Sequence, residues 1–184
     1  MRIGLIADTQ VPSADLSPNV KKAFDGVDMI LHAGDIIIPR CLDMLEEIAP
    51  VTAIEGSMYA QFENDNRVVQ GKRVVSIEGY KIGMVHELSI PGASAMEVLE
   101  GTIEKAFPKD LSMSDCMEKL FGEKVDIVHF GMSHETMVEE HEGILFVNPG
   151  SPTWPHNKVM LGTVAILDLA NGREVEIIEL SKFD

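Results

Sequence analysis

The 184-residue sequence has little of several things that would announce a function. Cysteine occurs only at Cys41 and Cys116, in no CxxC or CxH pattern, so two buried thiols are expected and a cysteine-based metal or redox role is not. Basic residues number 15 against 30 acidic ones, and the net charge of −15 leaves no basic patch to release counterions from a nucleic-acid backbone. Lys21–Lys22 and Lys72–Arg73 are isolated pairs that read as solvated surface. No apolar run approaches the ~20 residues that cross a bilayer. The first run breaks at Asp8 with no small-residue cleavage site after it, so neither membrane span nor signal peptide is predicted and a cytoplasmic location is expected. No glycine-rich loop follows the first strand, which disfavours a dinucleotide fold. Internal repeats, low-complexity tracts and linkers are absent as well. One domain over residues 1–184 is predicted, large enough to bury roughly 70% of its unfolded surface.

What is present is an ordered alternation. Residues 2–7 and 28–33 read as buried strands, 51–54 as a third, with helical spacing around 20–24 and 40–48 and Pro39 suited to a first helical turn. Strand–helix alternation predicts a parallel α/β half. The second half is mostly strand: 73–78 and 81–86 about a Gly79–Tyr80 turn, then 125–130, 136–140, 144–147, 162–169 and 174–180. Asn171–Gly172 is the strongest hairpin signal. Residues 94–107 and 112–121 read as helices. The first carries Met96, Leu99, Ile103 and Phe107 at helical spacing; the second carries Met113, Met117, Leu120 and Phe121. The expected fold is α/β, two packed mixed β-sheets flanked by helices.

Polar residues gather just past the predicted strands: Asp8 and Gln10, Asp35, Ser57, His86 and His134. In α/β sheets the carboxyl ends of strands converge on one crevice. Two carboxylates and two imidazoles form a donor set of mixed hardness, suited to manganese, iron or zinc. Taken singly, Asp8 and Asp35 also read as turn or cap residues, and each histidine as structural.

The stretches IGLIADTQ, LHAGD, IEGS, GMVHE, GMSHE and FVNPGSPTWP, in that order, resemble the motifs of the calcineurin-like metallophosphoesterases. Among these the small YfcE-type phosphodiesterases are most similar, a group to which the retromer subunit Vps29 is also similar. The resemblance covers residues 2 to about 155, and the last hairpin also fits. It implies two metals sharing one aspartate: the first on Asp8, Gln10, Asp35 and His134, the second on Asp35, Ser57, His86 and Met132. Three of these positions depart from the family pattern, where Gln10 and Met132 would be histidines and Ser57 an asparagine. Gln10 keeps an oxygen donor for a hard ion. Ser57 offers a weak hydroxyl, and Met132 a soft thioether suited to copper(I), or simply a space-filling side chain.

One ion is therefore expected rather than two: manganese first, with zinc, iron or nickel as alternatives. The implied activity is hydrolysis of a small phosphate ester, a phosphodiester first, by a metal-activated water. Asp35 and His86 take catalytic roles, His86 either as a second-site ligand or as a hydrogen-bond donor to phosphate. The alternative is a catalytically silent scaffold that uses the same fold to bind protein, as Vps29 does. Neither a nucleic-acid nor a membrane partner is expected, whereas a homo-oligomer is compatible. Glu55, Tyr59, Glu87 and Glu135 flank the altered positions, as substitutes or solvated surface. His32 is expected to bond locally or in the core, and His129 and His141 stand outside the site. His156 could approach a phosphate. Residues 148–151 form a turn beside the site, with Trp154 at its rim or in a subunit contact. The 89–124 segment is a helical insertion, either plain packing, a lid or a dimer contact.

Overall fold

A computed structural model of the chain describes residues 1–10, 16–55, 62, 64–158 and 160–184. The fold is α/β, with two mixed sheets and flanking helices. The first sheet holds six strands: β1 (Arg2–Ile6), β2 (Met29–His32), β3 (Val51–Glu55), β4 (Val68–Gln70), β10 (Thr163–Asp168) and β11 (Glu174–Glu179), in the order β11-β10-β1-β2-β3-β4. β1 to β4 run parallel, while β10 pairs antiparallel with β1. The second sheet is β5 (Lys72–Ile77), β6 (Tyr80–Val85), β7 (Ile127–His129), β9 (Ile144–Pro149) and β8 (Thr136–His141), in that spatial order.

Both faces of each sheet are covered, which is why the parallel strands read as continuous apolar runs rather than alternating ones. Between the sheets, Ile3, Leu5, Leu31 and Ile54 pack with Ile82, Met84, Ile127, Leu145 and Val147. The outer face of the first sheet is sealed by α1 (Pro18–Ala23) and α2 (Pro39–Glu46), through Val20, Phe24, Leu42 and Leu45. The outer face of the second is sealed by α3 (Thr102–Ala106) and α4 (Met113–Phe121), through Ile103, Met117, Phe130 and Phe146.

Four differences from the sequence reading have local causes. The helix expected over 94–107 is broken: a single 3-10 turn (Ala95–Glu97) precedes Gly101 at φ +75°, and only α3 follows. Met96 and Leu99 are 49% and 38% exposed, so the apolar spacing that suggested one long helix does not face a core. β4 was not expected, since three residues are too few to show a period. The hairpin signalled by Asn171–Gly172 forms between β10 and β11, but its connection is 169–173, one residue longer than expected, because Asp168 pairs with Glu174. The β5–β6 turn sits one residue early, at Glu78–Gly79, with Ile77 opposite Tyr80.

The 89–124 helices are tied down by carboxylates of the β8–β9 hairpin. Glu139 accepts from the N–H groups of Gly101 and Glu104, both at 2.9 Å, and Glu142 accepts from Met113 N–H at 2.9 Å. These satisfy N–H groups that a helix start otherwise leaves without partners. No helix among the described residues is long and apolar enough to cross a membrane.

Candidate metal centre

The two sheets bring the carboxyl ends of β1, β2, β6 and β7 to one edge. Asp8 follows β1, Asp35 follows β2, His86 follows β6 directly, and residues 131–134 follow β7. Four non-glycine residues there adopt left-handed backbone: Asp8 (φ +55°), Asp35 (+58°), Met132 (+76°) and His134 (+60°). Such conformations cost roughly 1–2 kcal/mol each for residues with a side chain, and they cluster where surrounding contacts over-determine them.

Asp8 is fully buried. Its N–H donates to Gly34 C=O at 3.0 Å, and its own C=O accepts from Ser151 Oγ at 2.7 Å. Oδ1 accepts from Met132 N–H at 3.1 Å, whereas Oδ2 has no hydrogen-bond partner among the described residues. Burial pushes the Asp8 carboxyl well above the usual carboxylate range; the Met132 N–H opposes this and Asp35 adds to it. Burial also raises Asp35, with His86 and His134 pulling it down and Glu87 pushing it up.

His86 donates from Nδ1 to Ala33 C=O at 2.9 Å, which fixes the tautomer and leaves the Nε2 lone pair facing inward. Nε2 lies 3.7 Å from Asp8 Oδ1 and 3.8 Å from Asp35 Oδ2. One donor atom from each of Asp8, Asp35 and His86 falls within 4.8 Å of the others. Gly131 makes room for them: a Cβ there would stand 2.8 Å from Asp8 Oδ2 and 3.0 Å from His86 Nδ1.

His134 approaches the same carboxylate oxygen from another side, Nε2 to Asp8 Oδ1 at 3.7 Å. Here the Gln10 amide nitrogen donates to His134 Nε2 at 2.7 Å. The Gln10 oxygen, Oε1, is buried and accepts no hydrogen bond from the described residues. Trp154 tilts over the His134 ring with centroids 6.4 Å apart, which puts the single tryptophan at this edge.

Of the other residues singled out from sequence, Ser57 and Tyr59 lie outside the described residues. Met132 contributes its backbone N–H to Asp8. Glu135 pairs with His156 at 2.7 Å on the rim. His129 is buried between the Leu31 and Val147 carbonyls, its pKa pushed down to about 4 by burial, and stands outside the centre. Burial pushes the Cys41 thiol up to about 11, so it stays protonated. Sequence reasoning missed Thr9 and Gly131. It placed the 148–151 turn beside the site without foreseeing that Ser151 holds the Asp8 carbonyl or that Asn148 Nδ2 donates to Gly131 C=O at 2.9 Å. A hydroxyl directly after a strand-end aspartate was the available signal.

Residues 1–172 match the calcineurin-like phosphoesterase superfamily domain. A probable metallophosphoesterase of Methanothermobacter thermautotrophicus is 29% identical over 157 residues, which is 84% of this chain and 79% of that protein. Another, from Methanocaldococcus jannaschii, is 27% identical over 187 residues, 99% of this chain and 83% of that one. Among solved structures, zinc-complexed Vps29 from Entamoeba histolytica has the same fold, with TM-score 0.66 and 19% identity over 98% of this chain and 99% of that one. An archaeal phosphodiesterase gives TM-score 0.64 at 20% identity over 97% and 99%.

Proposed function

Because the chain belongs to the calcineurin-like phosphoesterase superfamily, we propose that it is a phosphodiesterase of the small YfcE-type group that works with one divalent cation, manganese first. Asp8, Asp35 and His86 would hold the ion, with His134 and Gln10 on the same rim. The observation that carries this reading is Asp8 Oδ2, a carboxyl oxygen buried without a hydrogen-bond partner among the described residues, beside a second carboxyl and the His86 imidazole. Two acidic oxygens and one neutral nitrogen suit manganese, iron or zinc, and their crowding is unfavourable unless a cation offsets it.

A bound divalent cation supplies polarisation of the phosphoryl group and an acidified water. The chain does the rest. The Ala33 carbonyl accepts from His86 Nδ1–H, so the neutral ring carries its lone pair on Nε2, on the side of the two carboxyls. Asp8 is held at three points, its N–H by the Gly34 carbonyl, its C=O by the Ser151 hydroxyl and its Oδ1 by Met132 N–H, which removes the reorganisation that a loose carboxylate would require. The Gln10 amide keeps His134 Nε2 as a hydrogen-bond acceptor. His134 can thus hold a proton-bearing group of the substrate only once that amide swings away.

A second reading, a silent scaffold that binds protein, is favoured by the same Gln10–His134 contact, which withdraws one imidazole from the donor set. Metal content after mild purification, with a manganese-dependent assay on bis-p-nitrophenyl phosphate, separates the two. Near-stoichiometric metal with turnover supports the enzyme. No metal and no turnover with any divalent ion supports the scaffold.

A further inference from the structure

We propose that His32 is a positioning residue: its imidazole links the turn carrying Asp8 to the turn carrying Asp35 and so sets the spacing of the two carboxylates. This rests on the metal-site reading above. His32 ends β2 and is fully buried. Gly34 N–H donates to its Nδ1 at 3.1 Å, which requires a lone pair on that nitrogen. The proton of the neutral ring is then on Nε2, which lies 3.0 Å from Thr9 Oγ1 and donates to it. The Thr9 hydroxyl in turn donates to Asp35 C=O at 3.4 Å. Return closure comes from Asp8 N–H on Gly34 C=O at 3.0 Å.

The circuit therefore joins the neighbour of each aspartate to the other aspartate's turn. Thr9, next to Asp8, reaches Asp35; Gly34, next to Asp35, receives Asp8. Both aspartates are left-handed, and such backbone persists only where surrounding contacts fix it. An apolar residue at position 32 would fill the space but leave Gly34 N–H without an acceptor and take from Thr9 Oγ1 its imidazole donor in a dry interior. Cys41 Sγ, 3.5 Å from Thr9 Oγ1, is too weak a donor to replace the imidazole.

The test compares manganese affinity and stoichiometry, by calorimetry and by the Mn2+ electron-spin spectrum, for the wild type and four variants. His32→Leu and Thr9→Val each lose about 10–100-fold in affinity, the scale seen when groups orienting metal ligands are removed. Thr9→Ser, which keeps the hydroxyl, stays near wild type. The double variant Thr9→Val/His32→Leu is no worse than His32→Leu alone, because both cut one circuit. Should the wild type bind one ion and Thr9→Val bind it equally well, the link is overturned and the metal site stands. Should the wild type bind none, the proposed activity fails on its own. Nitrogen NMR of the ion-free protein still decides the link, since a His32 ring protonated on Nδ1 contradicts it and one protonated on Nε2 supports it.

Discussion

Two imidazoles reach the same oxygen of Asp8 at the same distance, 3.7 Å, yet they stand in different chemical states. On one side, His86 has its outer nitrogen tied to a backbone carbonyl and its inner nitrogen turned toward two carboxylates. On the other, His134 has its inner nitrogen taken by the Gln10 amide. Proximity to a carboxylate does not make a ligand; the hydrogen bonds that each ring makes decide which lone pair is available. The Asp8–Asp35–His86 side presents three donor atoms that could hold a metal, whereas on the other side the Gln10 amide occupies the His134 Nε2 lone pair.

The predictions sharpen or break that asymmetry. Asp8→Asn and Asp35→Asn have the largest effect: a neutral amide in place of the charged oxygen removes manganese binding, and the manganese-induced rise in melting temperature disappears with it. That rise corresponds to about 2.7 kcal/mol at a hundredfold excess of ion over its Kd in the wild type. Ion-free Asp8→Asn melts above the ion-free wild type, because it removes a buried carboxyl whose ionised form burial disfavours. The sign with pH follows. A raised carboxyl pKa means that the folded state binds the proton more tightly, so the ion-free protein gains stability as pH falls through that value toward about 3.9, and loses it as pH rises. Manganese affinity runs the other way and weakens on acidification, because protons compete for the same oxygens. A thermal-shift series over pH with and without manganese shows both slopes.

Gly131→Ala comes next. Its Cβ would stand 2.8 Å from Asp8 Oδ2, so manganese affinity falls by at least tenfold while the chain still folds; calorimetry alongside circular dichroism checks this. The triple variant Gln10→His, Ser57→Asn and Met132→His, which replaces an amide, a hydroxyl and a thioether by donors suited to manganese, takes up a second equivalent of metal and raises phosphodiesterase turnover. A triple variant that folds but titrates with a single equivalent shows that the crevice has changed beyond its ligands. Gln10→Ala has the smallest effect, keeping one equivalent of manganese at nearly wild-type affinity. A loss as large as that of Asp35→Asn would move Gln10 into the donor set and erase the contrast between the two sides.

The layers were readable because both sheets are sealed on both faces, so residues 28–33 and 125–130 stand out as mostly apolar stretches, each broken only by one aspartate and one histidine. The long helix over 94–107 was not readable correctly, since Gly101 at φ +75° interrupts a spacing that is otherwise helical. Strand-end positions identified Asp8, Asp35, His86 and His134 as residues of one edge, as each follows a strand directly or within a few residues. Their pairing was hidden. Whether the Gln10 amide faces an ion or His134 depends on an approach between residues 124 positions apart, and no local pattern encodes that.

Anomalous diffraction from crystals grown with manganese tests the central claim most directly. The account predicts one strong peak within bonding distance of Asp8, Asp35 and His86, with Gln10 still on His134. Two well-occupied peaks, or a single peak on the Gln10–His134 side, would contradict it.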